Sequence, residues 1–211
     1  MTKQPDQLGF DTLLADAATE NRDKKFARAT AHLPGTVEEG IAFYRSLIEQ
    51  NHTAMLAADE AETRRLRKDA RNLAVKLNGG DKGILAHDDA PGYVLARETI
   101  AEAGTIPLWG QTGSFTVRVA DMTVRIEIEG LFGSGSGWSF WPGFAAHAVD
   151  LDAPFLSETG YRSFLGIHAE PVPGLTPDTF AAKIIEAFVA RDLDGKLVRI
   201  SKTYRDQRRR A

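Results

Sequence analysis

The hydrophobic pattern of this chain changes period part-way along its length, and that change limits what it can fold into. Upstream, Val37, Ile41, Tyr44, Ile48 and Met55, then Leu66, Ala70, Leu73 and Leu77, recur at the spacing of one helix face. Downstream, Phe115, Val117 and Val119 alternate with Thr116 and Arg118, and Val124, Ile126 and Ile128 alternate with Arg125, Glu127 and Glu129. A period of two belongs to strands with one buried and one wet face. The expected fold class is therefore α+β. N-terminal helices, including a helical hairpin, precede a mainly antiparallel sheet with a C-terminal helix and a final strand.

Punctuation residues divide the chain further. A first helix is expected from about Phe10 to Arg28, with Phe10, Leu13, Leu14 and Ala17 on one face, ending before Pro34-Gly35. Thr36 with Glu39 has the spacing of a capping box, and Asp59 with Glu62 repeats that spacing. Two starts predict a hairpin over 36–80, closed by Asn78-Gly79-Gly80. One rod through Ala57-Ala58 is the competing reading. Residues 1–35 are then a helix and linker, 81–92 a turn-rich connector, 93–204 an α+β domain, and 205–211 a basic tail. Thr176-Pro177-Asp178 opens the last helix, and Lys196 to Tyr204 reads as the final strand.

Composition excludes several chemistries. With 211 residues, 43% of them hydrophobic, the chain can bury a sizeable core. It has no cysteine, which removes disulfides, thiolate nucleophiles, iron–sulfur clusters and Cys-based zinc sites. Met1 to Phe10 lacks the basic and then apolar run of a secretory signal, and no stretch approaches the roughly 20 apolar residues of a membrane span. A cytoplasmic location with no membrane association is the expectation.

The net charge of −3 hides a segregation. Residues 63–80 carry six bases against Asp69, and 201–211 carry five against Asp206, whereas 81–200 holds 16 acids against 9 bases. Arg64, Arg65, Arg67, Lys68 and Arg71, with Arg208, Arg209 and Arg210 of the tail, are the candidates for nucleic-acid phosphates, because neutralising phosphates releases counterions. A solvated helix face and a frayed tail would have the same composition.

The stretch from Gly130 to Phe144 alternates glycines with Trp138, Phe140 and Trp141. These aromatics suit a partner-docking loop or lid, and equally a core. The loop 133–137 lacks the helix and the Gly-Lys-Ser/Thr ending of a phosphate-cradling motif. The leading expectation is a non-enzymatic interaction protein that docks a protein partner, nucleic acid being a further partner and the helical hairpin a route to homo-oligomers.

The alternative is a small metal-independent hydrolase or transferase. Its site would lie between the Gly/Trp-rich loop and residues 147–168, with His147 as base, Asp150 as its orienter and Arg162 holding an anion. Ser157 lacks a nucleophile elbow and reads instead as the cap of a short helix through Tyr161 to Leu165. His147, Asp150 and His168 lack a metal-binding spacing, and neither reading calls for a cofactor. His32, His52 and His87 are given no role.

Overall fold

The computed structural model describes residues 6–133 and 139–208. Three helices come first: α1 (Asp6–Ala29), α2 (Val37–Leu56) and α3 (Glu60–Leu77). The expected hairpin forms, and the rod does not. Ala58 adopts φ 57°, the Ala58 N–H donates to Met55 C=O, and the Asp59 N–H reaches Ala54 C=O. That is a left-handed helix stop with both terminal carbonyls satisfied. Asp59 then restarts the chain by accepting from the Glu62 N–H at 2.9 Å. Tyr44, Leu47, Ile48, Leu66, Ala70 and Leu73 are buried between the two arms and their neighbours. The apolar faces of the two arms thus meet inside the fold. α1 is different: Leu14 and Ala17 are exposed, and Phe26 is its half-buried contact with the helical core.

A helix that the periodicity does not announce, α4 (Pro91–Glu98), follows the 81–90 turns. Pro91 starts it without a side-chain cap. Gly92 packs so closely that a Cβ there would lie 2.6 Å from the Ile84 carbonyl oxygen, which accepts the Gly92 N–H at 2.9 Å. This contact fixes the 82–86 segment against the helices.

The sheet is four-stranded and antiparallel throughout, in the order β1 (Thr112–Val119), β2 (Met122–Glu129), β3 (Phe144–Ala148), β4 (Tyr161–Phe164). Its core face carries Phe115, Val117, Val124, Ile126 and Ala146, and α5 (Pro177–Asp192) covers it with Phe180, Ala181 and Ile185. The other face carries Thr116, Arg125, Glu127 and His147. Arg125 lies opposite Thr116, and Glu127 opposite Ser114. Arg and Glu therefore do not meet across β1 and β2, and Arg125 pairs along its own strand with Glu127.

Two expectations are corrected. Residues 161–164 are a strand, because Phe144 pairs with Phe164 and His147 with Tyr161. The Ser157 hydroxyl donates to Tyr161 C=O at 2.7 Å rather than capping a helix. The final strand shrinks to a bridge between Val198 and Phe155. The Ser201 N–H turns to Glu158 C=O, and residues 202–208 wind into α6 (Lys202–Arg208).

The helical and sheet cores are joined through α2. Asn51 Nδ2 donates to Trp109 C=O at 2.8 Å, and His52 Nδ1 accepts the Trp109 N–H at 3.1 Å. Consecutive residues thereby hold both polar backbone groups of Trp109. No helix among the described residues is long and apolar enough to cross a membrane.

Candidate functional site

α3 carries its charges on two sides, and their environments differ. Arg65 is occupied: it bonds Glu62 at 2.6 Å and Asp69 at 2.7 Å, and the bond from Arg65 holds the Glu62 carboxyl below its ordinary range. Glu60, Thr63, Arg64, Arg67, Lys68 and Arg71, at i, i+3, i+4, i+7, i+8 and i+11, share the other side. There they form one wall of a cleft of about 540 Å³, within the range of roughly 300–1,000 Å³ common for ligand pockets. Lys82 to Ala86 line it as well, and Leu131, Phe132, Ser139 and Phe140 complete the lining.

The cations of this wall divide by burial. Arg64 is exposed and paired with Glu60. Arg67 is largely buried, and its guanidinium donates to the Ser139 and Phe140 carbonyls at 2.7 Å each; burial pushes its pKa down to about 10. It is a tether between α3 and the chain after residue 138. Lys68, Arg71 and Lys82 are exposed, and among the described residues none of them forms an ion pair. Like charges gathered above a partly apolar floor raise the local potential for an anion. Lys76, by contrast, is spent on the Thr30 and Leu33 carbonyls.

The aromatic candidates also separate. Trp138 lies outside the described residues. Trp141 is 1% exposed, stacked on Phe180 with ring centroids 4.7 Å apart and tilted against Trp109 at 5.6 Å. It is a core residue and offers no docking surface. Phe140 is half-buried, edge-on to Trp141, and lines the cleft. Phe132 stacks on Tyr44 at 5.2 Å and lines it too.

The enzyme constellation does not converge. His147 pairs with Tyr161 and Ala146 with Arg162, so alternation along the strands sets His147 and Arg162 on opposite faces of the sheet. Arg162 sits over the Phe188 ring at 4.5 Å. His147 Nε2 is 2.9 Å from Glu127 Oε2. Burial raises the Glu127 carboxyl, but the bond from Arg125 and the charges of His147 and Arg125 outweigh it and hold the group below its ordinary range. Asp150 Oδ1 accepts from the Asp152 N–H, a local turn contact. Among the described residues, no group of three His, Asp or Glu side chains could hold a metal ion.

Arg205 bonds Asp152 at 2.9 Å, which anchors α6 to the loop after β3. Arg208 ends α6, and Arg209 and Arg210 lie outside the described residues. Lys82, Thr63 and Phe132 were missed in the sequence. The helical spacing of Thr63 with Arg67 and Arg71 is a usable signal for Thr63, but Lys82 and Phe132 reach the cleft only through tertiary packing.

No family model and no solved structure matches the chain. It is similar to two curated relatives, each called Protein KlcB, from Escherichia coli. One is 36% identical over 214 aligned positions, covering 98% of this chain and 47% of the relative. The other is 36% identical over 177 positions, covering 81% of this chain and 36% of the relative. The chain thus spans about half, or less, of the length of the relatives it matches.

Proposed function

We propose that this chain is a non-enzymatic binding protein of the cytoplasm whose basic cleft beside α3 takes nucleic acid. The observation that carries the reading is the trio Lys68, Arg71 and Lys82, which converge on one concave surface and have no ion pair among the described residues. Cations already matched by carboxylates gain little from a phosphate, whereas unmatched ones gain counterion release. Of the helix residues first considered, Lys68 and Arg71 are assigned to phosphates. Arg64 is a weaker contributor through its bond to Glu60, Arg65 is set aside, and Arg67 positions the wall. A protein partner at the same cleft would have to be acidic.

The test is binding of a labelled oligonucleotide at several salt concentrations, with Lys68→Glu, Arg71→Glu and Lys82→Glu combined. Three phosphate contacts give a log–log salt slope of about −2 for a single strand and about −3 for a duplex. The triple variant should lose that slope along with most of the affinity. Equal affinity and slope in both proteins would overturn the proposal.

A further inference from the structure

We infer that the cleft recognises unpaired nucleotides, so that the protein prefers single-stranded nucleic acid to duplex. The inference rests on the nucleic-acid reading above and adds a strand class to it.

The contrast in exposure across the lining carries the inference. Lys68, Arg71 and Lys82 are exposed and give the cleft a charged rim, with Leu85 exposed beside them and Glu60 matched by Arg64. Leu131 is buried and Phe132 and Phe140 are half-buried, so the less exposed floor of the lining is largely apolar. A ligand matched to this order has its charge outward and a flat, weakly polar group inward. An unpaired nucleotide has that layout, with phosphate at the rim and base against the phenylalanines, and base–aromatic stacking tolerates any base. In a duplex the bases are stacked inside and only the phosphates face out, so the floor would go unused.

Thr63 supplies a second, independent observation. It is 1% exposed, lines the same cleft, and its hydroxyl has no hydrogen-bond partner among the described residues. A buried hydroxyl left unpaired is costly, and one at the wall of a binding cleft is explained by a ligand that completes it. Because Thr63 is buried where the cations are exposed, its hydroxyl suits the less exposed part of a ligand, a base carbonyl or ring nitrogen, better than a phosphate held by the exposed cations.

The experiment compares a fluorescein-labelled oligothymidylate with its duplex with oligoadenylate, using the full chain, Phe140→Leu, Thr63→Val and the triple charge reversal. The full chain should bind the single strand at least about tenfold more tightly than the duplex. Phe140→Leu should weaken single-strand binding about 5- to 150-fold, the range of one base–aromatic stack, with the salt slope unchanged. Thr63→Val should weaken it about 2- to 10-fold, the worth of one hydrogen bond, without lowering the melting temperature, since the hydroxyl has no partner to lose. That variant keeps the inference testable if Phe140→Leu fails to fold. Equal binding of strand and duplex, both abolished by the charge reversal, would refute the strand preference and leave the nucleic-acid reading standing. Binding of neither above the level of the charge-reversed protein would refute both. Displacement of the oligothymidylate by an equal concentration of a glutamate- and tyrosine-rich peptide would also refute the inference, assigning the cleft to an acidic protein segment.

Discussion

Arg67 separates a cation that builds the cleft from cations that serve it. Arg67→Met keeps the unbranched stem but removes, beside a contact with Met55 Sδ at 3.5 Å, the bonds of 2.7 Å to the Ser139 and Phe140 carbonyls, which carry the largest share. Bonds to a charged donor contribute about 1.5–3 kcal/mol each, so about 3–6 kcal/mol is lost. Burial has brought the guanidinium down to about 10, and at about 1.4 kcal/mol per tenfold in protonation the buried charge costs roughly 3 kcal/mol, which methionine returns. The released carbonyls border the cleft, where water replaces their donor. A net loss of about 1 kcal/mol follows, and less than about 3. Urea unfolding followed by tryptophan fluorescence measures it, since Trp109 and Trp141 are both buried. In oligonucleotide binding, the variant should lose affinity as Phe140 loosens, while its salt slope stays that of the parent. A slope reduced by about 0.7–0.9 would mean that Arg67 itself touches a phosphate, and a stability loss above about 4 kcal/mol would mean that the burial cost has been overcounted. The reduced slope would refute the assignment of Arg67 as a tether, as would a variant no less stable than its parent.

Two further predictions concern α2 and its exit. Ala58 holds φ 57° between α2 and α3, a conformation that glycine adopts without a Cβ penalty, so Ala58→Gly should raise stability by about 0.5–1 kcal/mol in urea unfolding; a loss would show that the turn is relaxed with alanine. Burial lowers the His52 pKa below its ordinary 6.5, and its Nδ1 accepts the Trp109 N–H, which requires the neutral ring. The unfolded chain therefore binds the proton more readily than the folded one. Stability from this group is complete above about pH 6.5 and declines as pH falls toward the lowered folded value, and His52→Gln should flatten that part of the urea midpoint against pH. An unchanged profile would remove His52 from the pH response.

Much of the fold was legible from local pattern. Helical spacing over 37–77 and alternation over 115–128 report which face each segment buries, and the Asp59–Glu62 spacing located the hairpin's second start. Where residues answer to distant partners instead, the pattern misleads. Residues 161–164 pair with β3 and become a strand, and the would-be final strand winds into α6 once Ser201 bonds Glu158. The polar inventory around His147 looked like a site because sequence lists residue types without their directions, and a two-residue period sends His147 and Arg162 to opposite faces.

By itself, then, the sequence determined the α+β class, two helix starts at Thr36 and Asp59, the hydrophobic face of β1 and β2, and a cluster of bases on α3. These are properties of short windows, where neighbours along the chain set geometry and burial. Only the tertiary structure decided which of those bases are available. Arg65 is matched by Glu62 and Asp69 and Arg67 by the carbonyls of residues 139 and 140, while Lys68 and Arg71 share a cleft with Lys82, Phe132 and Phe140. The energy of a charge depends on its surroundings within a few ångströms, and those surroundings come from parts of the chain up to about 70 residues away.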